Sequence, residues 1–269
     1  MPILQNSVRI VSNRRLAQDH YRLRLERPRS FPEIEAGQFV QLRLEEGWDP
    51  FLPRPLCLYE HSRLWMDVVY QVVGRGTAIL SKKKAGASVG VLGPLGLGFP
   101  ILLDGDTYVF VAGGVGIASL YLAAKELVRQ VKGRARFILL FGLKSVGMLH
   151  CHQDFRELGF ELRIATDDGS YGKKGYVTGL VEQLFEKEQL GRVWVYACGP
   201  RPMFLALTGI LPRFGQDAYL SLDEHMACGV GVCLGCAVKT VRGNGDPYRL
   251  VCKEGPVFKM SEIDWESKK

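Results

Sequence analysis

Along the first hundred residues apolar and polar positions alternate with a period of two. Leu23 and Leu25 alternate with Arg22, Arg24 and Glu26, and Val40, Leu42 and Leu44 alternate with Gln41 and Arg43. Such a pattern predicts half-buried strands. With Leu64 to Val73 and Ser88 to Leu92 as further strands, the natural closure is a small antiparallel barrel, which leaves few unpaired edges.

After about Leu103 the rhythm changes to strand, helix, strand. Strands are expected at Thr107 to Val111, Arg136 to Phe141, Leu162 to Ala165 and Val193 to Tyr196, with a helix from Ile117 to Val131. That succession predicts a parallel α/β sheet. Ile117, Leu120, Tyr121, Ala124, Val128 and Val131 form one helical stripe facing the sheet, with Lys125, Glu126 and Arg129 on the wet side. A third segment begins near Ala218, where Tyr219, Leu220 and Leu222 suggest a strand, and closes at Pro256-Val257-Phe258. The chain is therefore expected to be multidomain: an antiparallel β-barrel domain over 1–103, an α/β parallel-sheet domain over 104–217, a small C-terminal subdomain over 218–258, and a tail over 259–269 carrying Ile263 and Trp265.

Composition narrows the classes. A chain of 269 residues with 47% hydrophobic content has ample material for two domains and an appendage. Thr107 to Ala124 carries no charge, but the run Ala112-Gly113-Gly114-Val115-Gly116 reads as a strand, a glycine turn and a helix start, so no membrane span is expected. Met1 to Gln18 intersperses Arg9, Arg14 and Arg15 among its apolar residues and lacks the apolar core of a signal peptide, which fits a cytoplasmic, reducing address. The net charge of +7 is scattered rather than gathered into a stripe, and Lys82-Lys83-Lys84 reads as a solvated loop or helix end, so nucleic acid is not an expected partner.

The most specific chemistry lies near the C-terminus. Cys228, Cys233, Cys236 and Cys252 follow the spacing C-x4-C-x2-C-x15-C, and the first three match the plant-type [2Fe-2S] ligand run. Gly229, Gly231 and Gly235 interleave with them, so the backbone can wrap closely and turn N–H groups toward sulfur, while Val230, Val232 and Leu234 supply an apolar skin. Structural zinc is the alternative, although only one C-x2-C knuckle is present. Seven cysteines, an odd number, argue against a disulfide framework.

Upstream, Pro53-Arg54-Pro55-Leu56-Cys57-Leu58-Tyr59 opens a strand with an arginine suited to a pyrophosphate, and Gly74-Arg75-Gly76-Thr77 offers backbone N–H groups and a hydroxyl to phosphate. An ordinary turn explains either piece equally well. Gly113-Gly114-Val115-Gly116 joins the first strand of the second domain to its helix, as a dinucleotide turn does, though without the full G-x-G-x-x-G pattern. Cys198-Gly199-Pro200 places a thiol at the carboxyl edge of the sheet, where a buried free cysteine is the plain alternative.

Taken together, these pieces resemble the ferredoxin-NADP reductase superfamily across nearly the whole chain. Glu224 to Cys236, Thr166-Asp167-Asp168-Gly169-Ser170 and Cys252-Lys253-Glu254-Gly255-Pro256-Val257-Phe258 are similar to the electron transfer subunits of type B dihydroorotate dehydrogenases. The resemblance implies FAD on Arg54, Pro55, Leu56, Cys57, Gln71, Val72, Val73, Gly76 and Thr77. It also implies NAD beside Gly113, Gly114, Gly116, Cys198, Gly199 and Pro200, a [2Fe-2S] cluster on the four cysteines, and Cys57 and Cys198 as catalytic residues. It further implies an FMN-containing catalytic subunit as partner, two copies of each subunit in a heterotetramer, and electrons passing from FMN through [2Fe-2S] and FAD to NAD in pyrimidine biosynthesis. Two positions depart from the family pattern: Cys57 stands where serine is usual, and Ser119 where proline is usual. Lys144, Ser145 and Lys173 leave room for a 2′-phosphate contact. The rivals are an NAD(P)H-oxidising subunit of a hydrogenase, a sulfide dehydrogenase or a ferredoxin-linked reductase, and a zinc-stabilised nucleotide-binding module without turnover.

Overall fold

A computed structural model describes residues 3–44, 49–241 and 247–266. Six antiparallel strands close the barrel: β1 (Ile3–Ala17), β2 (His20–Glu26), β3 (Phe39–Arg43), β4 (Arg54–His61), β5 (Trp65–Gln71) and β6 (Ser88–Leu95), in the order β1-β2-β5-β4-β3-β6. The period-two pattern places Leu23, Leu25, Val40, Leu42, Leu58, Val68 and Val91 in the barrel core, all fully buried. A short helix, α1 (Arg75–Lys82), follows β5 and ends at the lysine run. Outside the barrel wall, Arg24 pairs with Asp67 across β2 and β5, and Arg22 shares the same carboxylate.

The second domain is a sheet of seven strands: β7 (Thr107–Gly113), β8 (Arg136–Leu143), β9 (Glu161–Thr166), β10 (Lys173–Lys174), β11 (Val193–Cys198), β12 (Tyr219–Ser221) and, beyond a hairpin described below, β15 (Val257–Lys259). Their order is β10-β9-β8-β7-β11-β12-β15, parallel except for β15, which runs antiparallel to β12. One face packs α4 (Val177–Lys187) and α5 (Arg201–Ile210) over Val109, Val111, Ile138, Leu140 and Val195. The other packs α2 (Ile117–Val131) over Tyr108, Phe110, Leu139 and Tyr196.

The limits of α2 match the expectation, but its surroundings do not. All eight residues from Ile117 to Ala124 are buried, because the helix is wedged between the sheet and the barrel. Leu122 joins the barrel core, and Tyr121 stacks on Tyr59 of β4 with centroids 4.6 Å apart. A helix covered on two sides has no wide wet face, and its polar strip narrows toward the C-terminal half. Lys125 there reaches Glu60 of the barrel. Tyr59 also donates a hydrogen bond to Asp154 of α3 (His152–Glu157), and Asp154 receives Arg22 of β2 as well, so β4 and β2 are both tied to the second domain there.

The segment expected as a cluster subdomain contributes strands to the central sheet at both its ends, β12 and β15. Between them lie the cysteine loop, the hairpin β13 (Ala237–Lys239) and β14 (Tyr248–Leu250), and the single turn α6 (Val251–Glu254). Met226, Cys236, Val238, Val251 and Cys252 are buried in continuity with the sheet's core. Past β15, Met260 and Ile263 are buried, and Trp265 donates a hydrogen bond to the Met260 carbonyl.

Candidate functional site

From β7 the chain steps through β8, β9 and β10 in one direction, and from β11 through β12 in the other, so strand order reverses between β7 and β11. Ligands of open α/β sheets gather at such a switch point, outside the carboxyl ends of the strands. The turn Gly113–Gly116 and the turn Cys198–Pro200 leave these two strands side by side, with Ala112 paired to Cys198. A Cβ on Gly116 would lie 2.3 Å from the Cys198 carbonyl oxygen, and one on Gly113 would lie 2.7 Å from Pro200 Cδ. The glycines thus let the two turns close on each other, a packing role in addition to any close approach of a ligand.

The thiol of Cys198 lies against the hydroxyls of Ser119, at the start of α2, and Ser221, at the end of β12. Ser119 also donates to the Gly116 carbonyl at 3.2 Å, so a hydroxyl holds this turn at the position where proline is usual. Burial pushes the Cys198 thiol up to about 11, with Asp223 adding to the rise and the two hydroxyls opposing it. Across the domain boundary, Cys57 of β4 is likewise pushed well above the ordinary thiol range, by burial first and then by Cys198 and Asp223. Two thiols from different domains, each held neutral by burial, are thus near enough at the switch point for one to act on the other. Asp223, raised by its own desolvation and by Glu224, and Ser221 were not singled out in the sequence. Ser221 ends β12 and Asp223 follows two residues later, so both sit on the same carboxyl edge, which was the available signal.

On the barrel, Arg54 lies across the N-terminus of α1. A Cβ on Gly76 would lie 2.1 Å from Arg54 Nε, so any larger residue there would push the guanidinium from this position. The guanidinium donates to the Leu52 carbonyl. Thr77 Oγ1 accepts the N–H groups of Val73 at 3.0 Å and Gly74 at 3.3 Å and donates to the Gly74 carbonyl. Its hydroxyl thus shapes the loop at the helix start as well as standing beside it. Pro55 and Cys57 pair with Gln41 and Phe39 of β3. Leu56, Gln71 and Val72 are half-buried, while Val73 is exposed. These groups frame an open face beside a cationic fork and a helix N-terminus, which fits the phosphates and ring of a flavin dinucleotide. A recess of about 620 Å³ between β1 and the end of α1 is lined by none of them.

The cysteine loop wraps its sulfurs in backbone. Val230, Val232 and Cys233 each direct an N–H to Cys228 Sγ at 3.4 Å, and the Cys252 N–H points to Cys236 Sγ at 3.4 Å. Gly229 and Gly231 take positive φ, and so does Leu234 at 60°, a region ordinarily left to glycine. Burial opposes ionisation of Cys228, but the N–H groups outweigh it and bring the thiol down to about 6. Cys228 neighbours Cys233 and Cys236 neighbours Cys252, with burial first, then Cys236 and Cys228, pushing Cys252 up to about 12. Among the described residues no three His, Cys, Asp or Glu side chains converge on a single ion position. Two pairs suit a two-iron core, with two thiolates to each iron, better than one tetrahedral ion. Val230, Val232 and Leu234 are exposed around the loop.

Lys173 Nζ is engaged by Gln183 at 2.9 Å on the side of α4. Among the described residues no helix is long and apolar enough to cross a membrane.

Two family models match the chain: the oxidoreductase NAD-binding domain over residues 110–208, and the iron-sulfur cluster binding domain of dihydroorotate dehydrogenase B over 223–264. The electron transfer subunit of dihydroorotate dehydrogenase B (NAD(+)) from Geobacillus thermodenitrificans is 40% identical over 94% of this chain and 96% of its own length. That of Caldanaerobacter subterraneus is 39% identical over 95% and 96%. Among solved structures, a chain of the NADH-dependent reduced ferredoxin-NADP oxidoreductase studied for flavin-based electron bifurcation superposes with a TM-score of 0.84, at 31% identity over 97% of this chain and 91% of that one. A ferredoxin-NADP+ reductase from Neisseria gonorrhoeae, at 19% identity and a TM-score of 0.66 over 80% and 92%, shares the fold. The protein is an oxidoreductase component whose cofactors are FAD, NAD and a [2Fe-2S] cluster. With identity this high over nearly its whole length, the chain belongs to the family of electron transfer subunits of dihydroorotate dehydrogenase B (NAD(+)).

Proposed function

We propose that this chain carries electrons from an FMN-containing catalytic subunit, which oxidises dihydroorotate, by way of its [2Fe-2S] cluster and FAD to NAD+. In this reading Cys228, Cys233, Cys236 and Cys252 are the cluster ligands. Arg54, Pro55, Leu56, Cys57, Gln71, Val72, Val73, Gly76 and Thr77 hold FAD, with Arg54 and the start of α1 taking the pyrophosphate. Gly113, Gly114, Gly116, Cys198, Gly199 and Pro200 receive NAD at the switch point. FAD supplies the exchange between a hydride and single electrons. The chain's own part is alignment, holding the nicotinamide edge against β4 and keeping water and charge away between the neutral thiols of Cys57 and Cys198. The assembly is a cytoplasmic heterotetramer of two copies of each subunit.

One observation carries this reading: Cys57 of β4 is near enough to Cys198, at the end of β11, for the two to act on each other, and β12 beside β11 leads into the cysteine loop. The test is to co-purify the chain anaerobically from its native host and assay dihydroorotate-dependent reduction of NAD+. A partner that is retained but gives no dihydroorotate activity contradicts the proposal. The likeness to a chain of the NADH-dependent reduced ferredoxin-NADP oxidoreductase favours a second reading, a ferredoxin-linked reductase subunit. The same preparation distinguishes it by accepting reduced ferredoxin in place of dihydroorotate.

A further inference from the structure

The alternation in β3 predicts that Gln41 faces water between two inward residues, yet it is 1% exposed. Neither Nε2 nor Oε1 of its carboxamide has a hydrogen-bond partner. A buried amide unpaired at both ends is rare and costly, and an apolar side chain of the same length fills such a place without that penalty. What covers Gln41 is the cysteine loop. A Cβ on Gly229 would lie 2.6 Å from Gln41 Nε2, 3.0 Å from its Cγ and 3.1 Å from its Cδ, so the loop rests on this side chain and needs a glycine there to do so. Gly229 follows Cys228, whose sulfur already gathers three N–H groups from its own loop. On its other side Gln41 pairs with Pro55, within the flavin strand β4.

We infer that Gln41 is a positioning residue for the cluster, its Nε2–H donating to cluster sulfur on the Cys228 side and raising the cluster's reduction potential. Sulfur accepts hydrogen bonds more strongly as the cluster gains an electron, so a donor fixed beside it favours the reduced form. The barrel thereby supplies one hydrogen bond to the cluster from the strand next to the flavin strand. This inference rests on the assignment of the four cysteines to the [2Fe-2S] cluster.

The test is an EPR-monitored potentiometric titration of the full-length, anaerobically purified protein, with iron and flavin content measured on the same samples. Gln41→Met keeps the length and packing without either polar atom, and Gln41→Glu replaces the donor with an acceptor. Both are expected to retain iron and FAD at the wild-type ratio and to shift the cluster's midpoint to lower potential, Gln41→Glu further than Gln41→Met. Should Gln41→Met fail to accumulate, Gln41→Asn, which draws the amide back by one methylene, is expected to shift in the same direction. A wild-type midpoint in a variant with a full cluster assigns Gln41 to packing and overturns the inference. Reduced flavin occupancy at an unchanged cluster midpoint assigns the amide to the flavin and overturns it too. Failure of the underlying assignment is seen separately, as wild-type protein that binds no iron, and it sinks both.

Discussion

The imidazoles of His20, at the start of β2, and His150, in the loop between β8 and α3, stack with ring centroids 4.2 Å apart across the boundary between barrel and sheet. Each Nδ1 lies 2.6 Å from a carbonyl, of Gln18 and Met148 respectively, and both Nε2 atoms are buried without partners. Such a pair is stable only while both rings are neutral.

That relationship sets a pH dependence. Burial, opposed by the Met148 carbonyl and aided by His20 and His152, brings His150 down to about 4, and burial lowers His20 against the pull of the Gln18 carbonyl and Asp19. Phe141 meets His150 edge-on and adds no charge. A histidine that binds its proton more weakly folded than unfolded leaves stability whole above its unfolded value and lowers it as pH falls toward the folded one. For His150 alone the loss is about 2 kcal/mol at pH 5, growing to about 3 kcal/mol below pH 4. Urea titrations at pH 7.5 and pH 5 should show this loss in wild type and a smaller one in His150→Phe. Equal losses in both would exclude His150 as the cause.

Cys233→Ser is expected to lose the cluster's visible absorption and iron while keeping FAD, because Cys233 is exposed on the cysteine loop and is not among the residues that frame the barrel site. A normal cluster in this variant would remove Cys233 from the ligand set.

Gly76→Ala places a methyl where the Arg54 guanidinium lies. It should lower FAD retention through gel filtration as strongly as Arg54→Ala does, by about tenfold in affinity for the loss of one charge-assisted pair. Full flavin occupancy in both variants would move the pyrophosphate elsewhere.

Gly116→Ala drives a methyl into the Cys198 carbonyl and forces the two switch-point turns apart. The expected cost is about 1–3 kcal/mol of stability, accompanied by weaker NADH binding in fluorescence titration and an unchanged iron content. Unaltered NADH affinity would leave these turns with packing alone.

Asp67 is fully buried beneath two guanidiniums, Arg22 and Arg24. Asp67→Ala removes the carboxylate the two share, while Arg22 keeps Glu60 and Asp154 and Arg24 stays partly exposed, and should cost about 1–3 kcal/mol, read as a lower denaturation midpoint. A loss within 0.5 kcal/mol, the range of about ±0.5 typical of surface substitutions, would show that solvent reaches the pair.

Much of this architecture is written locally. Leu23, Leu25, Val40 and Leu42 alternate as barrel strands do, and α2 spans Ile117–Val131 as its periodicity requires. What escaped was set by distant neighbours. Ala118, Leu122 and Ala123 are buried because the barrel lies against α2, and an amphipathic pattern assumes one wet side. β10 consists of two exposed lysines and has no apolar signature. The cysteine spacing carried the metal chemistry, since spacing is a local property. Ser221 and Asp223 gain meaning only once β12 is placed beside β11, and Gln41 only once Gly229 lies on it.

β12 and β15 are adjacent strands of one sheet, and the cysteine loop departs from the first and its chain returns through the second. Such a loop cannot swing between donor and acceptor as a tethered carrier domain does, because displacing it would unzip the sheet edge. On the proposed function, electrons would reach and leave the cluster at a fixed separation from the switch point, so turnover would depend on how the partner subunit docks and not on an internal shuttle. For the same reason the segment is a poor unit for transplantation: cut out alone, it would leave behind the strands that hold its ends together.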